Sequence, residues 1–348
     1  MSLTERWQKE PGPRVAGSRA LDQSKVQAPG VVRLPDGGYR LFYTAVGPGK
    51  PYPACQGYVL SAVSEDGVTF EKEPGIRFAP RPDVRHVSLR VLAPSVTPTD
   101  DGGWRMYVEA RGPASVPTVI CSAISSDMLT WELEAGVRLE SPGGVGAPRY
   151  LRLPDGRGRL YCFDKAPEGA ETEGEAAEPI GVVSAVTANG LDFEMEPGVR
   201  VHECQEEMDS GGITAAEVIP PTAAGAPWTM FYSAWQDVAP GTDVPVHPSA
   251  NVNAETDGAS EDFAAASIAV DMAGFRSRIF VSESPDGLAW GPGRCVIEGG
   301  GYDADGLDAV HAEDMSLTRL DDGRYRMYYA ACDRHGNWRV ASAISSAE

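Results

Sequence analysis

The segment "FEKEPGIRF" (Phe70–Phe78) is one of four closely similar segments in the chain. The other three are "WQKEPGPRV" (Trp7–Val15), "WELEAGVRL" (Trp131–Leu139) and "FEMEPGVRV" (Phe193–Val201). Every copy begins with an aromatic residue and has Glu at its fourth, Gly at its sixth and Arg at its eighth position. A looser fifth copy begins at Trp290. Recurrence of this kind indicates a repeat architecture.

Each copy is the last of four short β-strand patterns. In the first unit, "VQAPGVVRLPDGGYRLFYTA" (Val26–Ala45) has the pattern of two strands joined by an Asp-Gly turn, and "YVLSAVSEDGVTF" (Tyr58–Phe70) that of a third strand and a turn. Asp-Gly between apolar runs is a strong hairpin signal. Repeated units of four antiparallel strands are typical of propeller blades. The sequence therefore predicts an all-β protein, a five-bladed β-propeller with four antiparallel strands per blade, in a single domain spanning residues 1–348.

The two chain ends are predicted to share one blade. The last unit ends with "RVASAISSAE" (Arg339–Glu348), which supplies a third strand and no fourth. Trp7–Val15 has the missing pattern, so residues 1–17 are predicted to form the outer strand of the last blade. That strand would close the ring and leave no sheet edge exposed. The predicted blades then span approximately residues 18–80, 81–141, 142–204, 205–300 and 301–348.

The composition narrows the range of partners. The chain has 348 residues and a formal net charge of -20, which argues against nucleic acid and anionic membrane surfaces. No apolar run is long enough to cross a membrane, and the N-terminus lacks the pattern of a signal peptide. The six cysteines have no metal-ligand spacing, so we expect reduced structural thiols in a cytoplasmic protein.

The irregular connections are expected to gather at one face of the propeller. Turns between first and second strands, and between third and fourth strands, are short and uniform. Connections between second and third strands and between blades are long, and one of them runs from about residue 236 to residue 277. Irregular loops on a regular scaffold usually carry the binding site, so we expect a ligand at this face of the central funnel.

The pattern as a whole resembles the five-bladed propeller glycoside hydrolases. The resemblance rests on Ala-Pro pairs in the first strands, the "LFYTA" second strand (Leu41–Ala45), and the turns "SEDGVTF" (Ser64–Phe70) and "SPDGLAW" (Ser284–Trp290). That group includes arabinanases and xylosidases, invertases and levansucrases, and mannoside phosphorylases. Arabinanase-like relatives have a catalytic Asp before a Pro in the first blade, where this chain has Ala28 and Pro29. The resemblance implies the fold and a carbohydrate substrate, while the standard catalytic Asp is not matched.

Residues that recur in every blade are expected to be structural, because the blades share a fold and not a site. The recurring arginines are therefore expected to bind backbone carbonyls or a neighbouring Glu: Arg14, Arg77, Arg138 and Arg200. Polar residues that break the repeat near the face with the irregular connections are the candidate site residues. The candidate catalytic carboxyls are Glu217, Glu313, Asp314 and Asp209.

Glu217 and Glu313 are the leading pair, because glycoside hydrolysis uses two carboxyl groups. They come from adjacent blades and are expected at equal depth, where crowding across the funnel would raise the pKa of one. The alternative is that each caps a local backbone donor or pairs with Arg90, Lys25 or Arg149. The candidate substrate-binding residues are Lys25, Gln27, Arg90, Glu109, Arg111, Arg149, Asp164, Trp235, His311 and Asp333.

No cofactor is predicted, and no standard metal motif is present. The stretch "DADGLD" (Asp303–Asp308) offers oxygen atoms at a spacing suggestive of calcium, although it lacks the rest of an EF-hand loop. A structural calcium ion near Asp303, Asp305, Asp308 and His311 is therefore kept as a secondary expectation.

The sequence leaves three kinds of function open. The first is a carbohydrate-active enzyme that uses paired carboxylates on a small glycoside or oligosaccharide in the axial funnel. It would be a glycoside hydrolase, or a glycoside phosphorylase if the basic residues hold inorganic phosphate. The second is a non-catalytic sugar-binding propeller that has lost the catalytic acids, and the third, less favoured, is a scaffold for protein partners. A small carbohydrate is the expected partner, with neither nucleic acid nor membrane.

Overall fold

The computed structural model describes residues 6–23, 25–46, 57–113, 115–165, 181–202, 212–243 and 275–346. The helical structure in these ranges is one short 3-10 turn at Arg85–Val87, and the regular elements are otherwise β-strands. The predicted all-β class is confirmed. Within the same ranges, no helix has the length and apolar character needed to cross a membrane.

The strands pair in five successive groups, and consecutive strands within a group run antiparallel. Two short N-terminal strands come first in the chain: β1 (Trp7–Lys9) and β2 (Val15–Ala16). Group 1 contains β3 (Lys25–Arg33), β4 (Tyr39–Val46), β5 (Gly57–Ser64) and β6 (Glu71–Lys72). Group 2 contains β7 (Arg90–Pro98), β8 (Trp104–Arg111), β9 (Val119–Ser125) and β10 (Glu132–Leu133).

The remaining strands continue the same order. Group 3 contains β11 (Val145–Arg152), β12 (Gly158–Asp164), β13 (Gly181–Thr187), β14 (Glu194–Met195) and β15 (Val201–His202). Group 4 contains β16 (Gly212–Ile219), β17 (Trp228–Asp237), β18 (Phe275–Ser284) and β19 (Arg294–Ile297). Group 5 contains β20 (His311–Arg319), β21 (Tyr325–Cys332) and β22 (Trp338–Ser345).

The N-terminal strands lie against the last strand of group 5. Strand β1 pairs antiparallel with β22, with Trp7 opposite Ser345, and β2 pairs with β22 through Val15 and Val340. The first strands of the groups also contact one another in sequence, from β3 through β7, β11 and β16 to β20, and β20 contacts β3. The site described below lies where these first strands meet.

Each first strand contains a bulge. In four groups a bulged residue has a left-handed backbone: Ala28 (φ 48°), Ala93 (50°), Ala147 (48°) and Asp314 (52°). This conformation is unfavourable for residues other than glycine, and Asp and Asn tolerate it best. Asp314 therefore puts a carboxyl group at a position that alanine occupies in three other groups.

A recurring Glu–Arg–Ser set fastens the strands within a group. In group 1, Glu73 accepts hydrogen bonds from Arg40 at 2.9 and 3.0 Å and from Ser61 at 2.7 Å. The same set recurs in groups 2, 3 and 5 as Glu134, Arg105 and Ser122, as Glu196, Arg159 and Ser184, and as Glu10, Arg326 and Ser342. The N-terminal residue Glu10 thus does in group 5 what the fourth-strand Glu does elsewhere.

The recurring arginines bind backbone carbonyls, as predicted, and they join neighbouring groups. Arg77 of group 1 donates to the Leu129 carbonyl of group 2 at 3.3 Å. The equivalent bonds run from Arg138 to Leu191 (3.0 Å), from Arg200 to Leu288 (3.2 Å) and from Arg14 to Val68 (3.1 Å). These arginines are structural, which supports treating recurrence as the mark of a scaffold residue.

An edge-on aromatic contact also recurs between neighbouring groups. Its members are Trp131 on Phe42 (5.9 Å between ring centroids), Phe193 on Tyr107 (5.7 Å), Phe70 on Tyr328 (5.6 Å) and Trp7 on Phe231 (5.3 Å). Edge-to-face packing of two aromatic rings contributes about 1 kcal/mol beyond the free energy gained from the area that the rings bury. Trp7 therefore anchors the N-terminal segment between groups 4 and 5.

Candidate active site

Two adjacent carboxyl groups lie on the bulge of β20. Neighbouring residues of a regular strand point to opposite faces of the sheet, but a bulge re-aims side chains. Glu313 and Asp314 consequently interact: the charge of Glu313 adds to the effect of burial and raises the pKa of Asp314 to about 8. Arg149 and Lys25 oppose this rise without cancelling it.

The surroundings of Glu313 favour its charged form more than those of Asp314 do. Burial raises the pKa of Glu313 above its usual value as well, and the charge of Lys25 and a hydrogen bond with the Ser277 side chain reduce that rise. Two carboxyls this close share one negative charge more easily than they carry two. Of the two carboxyls, Asp314 therefore has the surroundings that favour the proton, and Glu313 has those that favour the charge.

Lys25 is held beside this pair by an aromatic stack. Its Nζ lies 4.3 Å from the ring centre of Trp338, and the Trp338 ring stacks on His311 at 5.2 Å with 11° between the planes. Burial lowers the pKa of Lys25 to about 8, against the charges of Glu313 and Asp314. Lys25 thus remains largely protonated at neutral pH and lies within the field of both carboxyls.

His311 and Ser277 connect groups 4 and 5. The Ser277 Oγ lies 3.0 Å from His311 Nδ1, and both residues are buried. The sequence analysis selected His311 but missed Ser277 and Trp338. Ser277 could have been found because it is polar and has no counterpart in the other third strands. It was missed because it lies in the extended start of β18, directly after the long connection.

Glu217 occupies a different part of the site, in contact with Arg149. The Arg149 Nε lies 2.9 Å from Glu217 Oε2. Burial raises the pKa of Glu217 to about 7, while Arg149 and a hydrogen bond from the Leu317 amide lower it. The Arg149 guanidinium also donates to carbonyl oxygens of four first strands, those of Pro29 (2.9 Å), Pro148 (3.1 Å), Met315 (3.3 Å) and Pro94 (3.4 Å). Together with Glu217 it therefore links all five groups, so its candidate role in binding substrate gains no support here.

The expectation that Glu217 and Glu313 lie at equal depth is wrong. Glu217 lies opposite Phe231 on the second strand of group 4. Phe231 is the counterpart of Tyr328 in group 5, because both rings make the recurring edge-on contact. In group 5 the residue opposite Tyr328 is Ser316, whereas Glu313 is opposite Ala330, two residues further along the partner strand. The bulge causes the offset, because group 4 has its bulge earlier in the strand.

Glu217 also has structural counterparts. Ser316 accepts a hydrogen bond from the Val31 amide at 3.2 Å, and Ser95 accepts one from the Tyr150 amide at 3.0 Å. Glu217 accepts the corresponding bond from the next group, from the Leu317 amide. By the recurrence criterion, this favours a structural role over a catalytic one.

Glu109 is a second candidate whose position recurs. It accepts hydrogen bonds from Arg111 Nε at 2.7 Å and from the Ala147 amide at 3.1 Å. Although burial raises the pKa of Glu109, Arg111 and Lys165 lower it below its usual value. Thr44 and Ser233 accept the same inter-group bond from the amides of Ala93 and Asp314. Glu109 and its partner Arg111 therefore stabilise a junction between groups.

Two further candidates have local partners at the ends of second strands. The Ser141 hydroxyl donates to Asp164 Oδ1 at 2.5 Å. Asp333 accepts hydrogen bonds from Arg339 at 3.0 Å and from the His335 and Asn337 amides. Asp333 therefore closes its own turn.

The last four candidates are two half-buried residues, one buried arginine and one residue outside the described ranges. Trp235 is half-buried and lies 5.3 Å from Phe275. Arg90 is buried at the start of β7, and its charge contributes to the lowered pKa of Lys25. Gln27 is half-buried in the bulge of β3. Asp209 falls outside the described ranges.

The carboxyls of the suggested calcium site are spread over different contacts. Asp308 lies 2.6 Å from Lys9 Nζ and accepts a hydrogen bond from Tyr329 at 3.0 Å, while Asp305 lies 3.1 Å from Arg334 and Asp303 is exposed. Group 1 repeats this Asp–Tyr–Lys arrangement with Asp22, Tyr43 and Lys72. Within the described ranges no three His, Cys, Asp or Glu side chains form a metal-binding cluster. The calcium ion stays a prediction.

Comparison with solved structures relates this fold to carbohydrate-active proteins. No protein-family model and no curated protein matches the chain. A glycosyl hydrolase from Bacteroides ovatus is 13% identical with a TM-score of 0.65, covering 99% of this chain and 94% of that one. A structure from the GH130 family of mannoside phosphorylases, which contains glycoside hydrolases that target β-1,2-mannosidic linkages, is 13% identical with a TM-score of 0.65, covering 98% and 93%.

A third structure carries a different activity on a similar fold. An N-acetylgalactosamine deacetylase from F. plautii, in complex with blood group B trisaccharide, is 15% identical with a TM-score of 0.64, covering 98% of this chain and 95% of that one. The similar structures are mainly glycoside hydrolases of the propeller fold, so the predicted resemblance is confirmed at the level of the fold. A fold shared by a hydrolase and a deacetylase does not by itself determine the reaction.

Proposed function

We propose that this chain is a carbohydrate-active enzyme, a glycoside hydrolase in which Asp314 is the proton donor and Glu313 the charged carboxylate. The observation that carries the proposal is the pair itself. Two half-buried carboxyls are adjacent on a bulge. Ser277 stabilises the charge on Glu313 alone, and Lys25 interacts more strongly with Glu313 than with Asp314. Environments that push two titrating groups apart assign the acid and the base.

In this mechanism Asp314 protonates the glycosidic oxygen as the bond between that oxygen and the anomeric carbon breaks. A water molecule bonds to the anomeric carbon, and Glu313 accepts its proton. The products are a free reducing sugar and an alcohol, and the pair regains its starting state when a proton passes back to Asp314. A general acid with a pKa near 8 is protonated at neutral pH and still able to release its proton.

We also propose that the five strand groups are the blades of one five-bladed propeller spanning residues 1–348, which β1 and β2 close. The cyclic order of contacts among the first strands and the pairing of β1 and β2 with β22 support this arrangement. Trp235 and Gln27, which are both half-buried, are the proposed contacts for the sugar. The cytoplasmic location stays a prediction from the cysteine pattern.

A glycoside phosphorylase is the second candidate, and the position of Lys25 and Arg90 favours it. Both cations are buried at the starts of neighbouring first strands, where Lys25 interacts with the acidic pair and Arg90 with Lys25. A phosphate oxygen would then bond to the anomeric carbon while Asp314 protonates the departing oxygen, giving a sugar phosphate. Phosphate attacks without a base, so this reaction requires one carboxylic acid rather than two.

The test is a screen of aryl glycosides and short oligosaccharides, with and without inorganic phosphate, using wild type, Asp314→Asn and Glu313→Gln. We expect turnover that falls by about 100-fold or more in Asp314→Asn, with the melting temperature retained. Glu217→Gln is the matched control, and it should keep measurable turnover. Sugar binding without turnover would favour the non-catalytic propeller, and full activity in Asp314→Asn would contradict the proposed acid.

A further inference from the structure

We propose that Ser277 is a positioning residue that, together with His311, keeps the negative charge of the acidic pair on Glu313. The inference rests on the proposed function, in which a charged Glu313 and a protonated Asp314 are both needed. Ser277 would not touch the substrate. It would act through Glu313.

The contacts of Ser277 determine the direction of its hydrogen bonds. Its hydroxyl bonds both to the Glu313 carboxylate and to His311 Nδ1, the latter at 3.0 Å. A charged carboxylate can only accept, and a hydroxyl has one proton to donate. The hydroxyl proton therefore goes to Glu313, and the Ser277 oxygen accepts from His311. This requires the tautomer of His311 that carries its proton on Nδ1.

His311 is fixed in this orientation by its neighbours. Its ring is completely buried, stacks on Trp338 at 5.2 Å and lies 5.0 Å from the Phe275 ring. Its backbone also pairs with Ser277 in a parallel bridge between β18 and β20. A ring packed this way cannot turn without displacing two aromatic side chains. The Ser277 oxygen is therefore held at one distance from His311 and from Glu313.

Trp338 connects both supports of Glu313. The Trp338 ring stacks on His311 and also lies beneath Lys25 Nζ. Charged or titratable groups reach the pair from several strands. Glu313 is faced by Lys25 of β3, Asp314 of its own strand and Cys332 of β21, while Arg149 of β11 and Glu109 of β8 act on Asp314. Among these supports, Ser277 is the uncharged hydrogen-bond donor to Glu313.

Removal of the hydroxyl should move the acidic side of the pH–activity profile. Without the Ser277 donor the charged form of Glu313 is less stable, so its pKa rises. Activity then requires a higher pH before Glu313 ionises, and we expect a shift of about one pH unit upwards. Ser277→Thr keeps a hydroxyl, so its pH–activity profile should stay close to that of wild type.

The experiment measures kcat/KM across pH for wild type, Ser277→Ala, Ser277→Thr and the control Ser284→Ala. Ser284 is as buried as Ser277 and lies on the same strand, but its hydroxyl binds the turn at Asp286. An unshifted acidic limb in Ser277→Ala, or an equal shift in Ser284→Ala, would overturn the proposal.

A readout independent of activity separates this proposal from the proposed function. ¹⁵N NMR of the histidines, with His311→Gln for assignment, reports the tautomer of His311. We expect the Nδ1–H form in wild type at neutral pH and a change of tautomer or nitrogen shifts in Ser277→Ala. The Nε2–H form in wild type would overturn the relay even if the enzyme is active. The Nδ1–H form in a protein without turnover would support the hydrogen-bond chain and contradict the proposed reaction.

Discussion

Four junctions between strand groups are cross-linked in the same way, and the junction between groups 4 and 5 is different. At the four regular junctions, an arginine of one group donates to a carbonyl in the third-to-fourth-strand turn of the next. At three of them a tyrosine hydroxyl does so as well, as Tyr107 does to Gly190 at 2.9 Å. Among the described residues, the junction of groups 4 and 5 has neither bond.

The reason lies in the sequence of both partners. Group 4 has Thr229 where the other four groups have arginine and Phe231 where three of them have tyrosine, and Trp290 begins a segment without the eighth-position Arg. Within the described residues, no third-to-fourth-strand turn joins β22 to β1 that could accept such bonds. A cavity of about 540 Å³ lies at this junction, beside Thr229, compared with about 250 Å³ at the equivalent place between groups 2 and 3, beside Arg105.

The irregular junction is also the one that carries the candidate acids. Ser277 of group 4 reaches His311 and Glu313 of group 5. Non-recurring polar contacts thus replace the recurring ones here. Among the described residues, the missing recurring cross-links and the candidate acids therefore fall at the same junction.

The largest expected effect is that of deleting residues 1–15. The deletion removes β1, the edge-on contact of Trp7 on Phe231, and the bonds of Glu10 and Arg14. We expect the truncated chain to lose cooperative thermal unfolding or to melt far below wild type. Because the segment binds in place, adding a peptide of residues 1–17 should raise the melting temperature of the truncated chain, and more so at higher peptide concentration. Identical melting of both chains would refute closure by the N-terminus.

Glu10→Ala and Glu134→Ala form a matched pair for the same idea. Both glutamates bind one arginine and one serine, at similar distances and burial. Each substitution leaves a mostly buried guanidinium without its carboxylate and should reduce the free energy of unfolding by about 3 kcal/mol. Equal losses in urea unfolding would support an N-terminal segment as firmly held as an internal strand. A negligible effect of Glu10→Ala alone would refute it.

The pH dependence of stability provides a third, smaller effect. The raised pKa of Asp314, about 8 in the folded chain, lies above the unfolded value of about 4. Its contribution to stability is therefore fully present below about pH 4 and is lost as the pH rises through about 8. Asp314→Asn has no proton to lose, so at pH 9 it should melt above wild type by about 2 °C or more. A mutant that melts lower at every pH would contradict a protonated Asp314.

The smallest effect distinguishes the junctions directly. Arg105→Thr should lower the melting temperature, because it removes the bonds to Glu134 and to the Asn189 carbonyl. Thr229→Arg introduces the arginine at the irregular junction, where the described residues include no accepting turn. We expect its melting temperature to stay within about 1 °C of wild type. A clear gain in stability would show that the junction lacks only a side chain and not a partner.

Much of the scaffold could be predicted from the sequence because it repeats. The Glu, Gly and Arg positions of "FEKEPGIRF" (Phe70–Phe78) are enough to predict the strand order and the place of Trp7–Val15. Recurrence also marked Arg77 and its equivalents correctly. It failed where one role is filled by different residue types, as with Glu109 and its counterpart Thr44, so that a structural residue looked unique.

The site could be predicted in part, and the failures have a physical cause. The departures from the repeat included Lys25, His311, Glu313 and Asp314, which interact in the structure. Their relative depth could not be read, because a bulge shifts the register by one residue without a sequence signature. For that reason Glu217 was ranked above Asp314.

The central claim is that Asp314 is protonated in the resting protein while Glu313 carries the charge. Infrared difference spectra of wild type minus Asp314→Asn, recorded from about pH 5 to about pH 10, test it directly. We expect the C=O stretching band of a protonated carboxyl at pH 7, lost as the pH passes about 8. The absence of that band at pH 7, with carboxylate bands instead, would contradict the account.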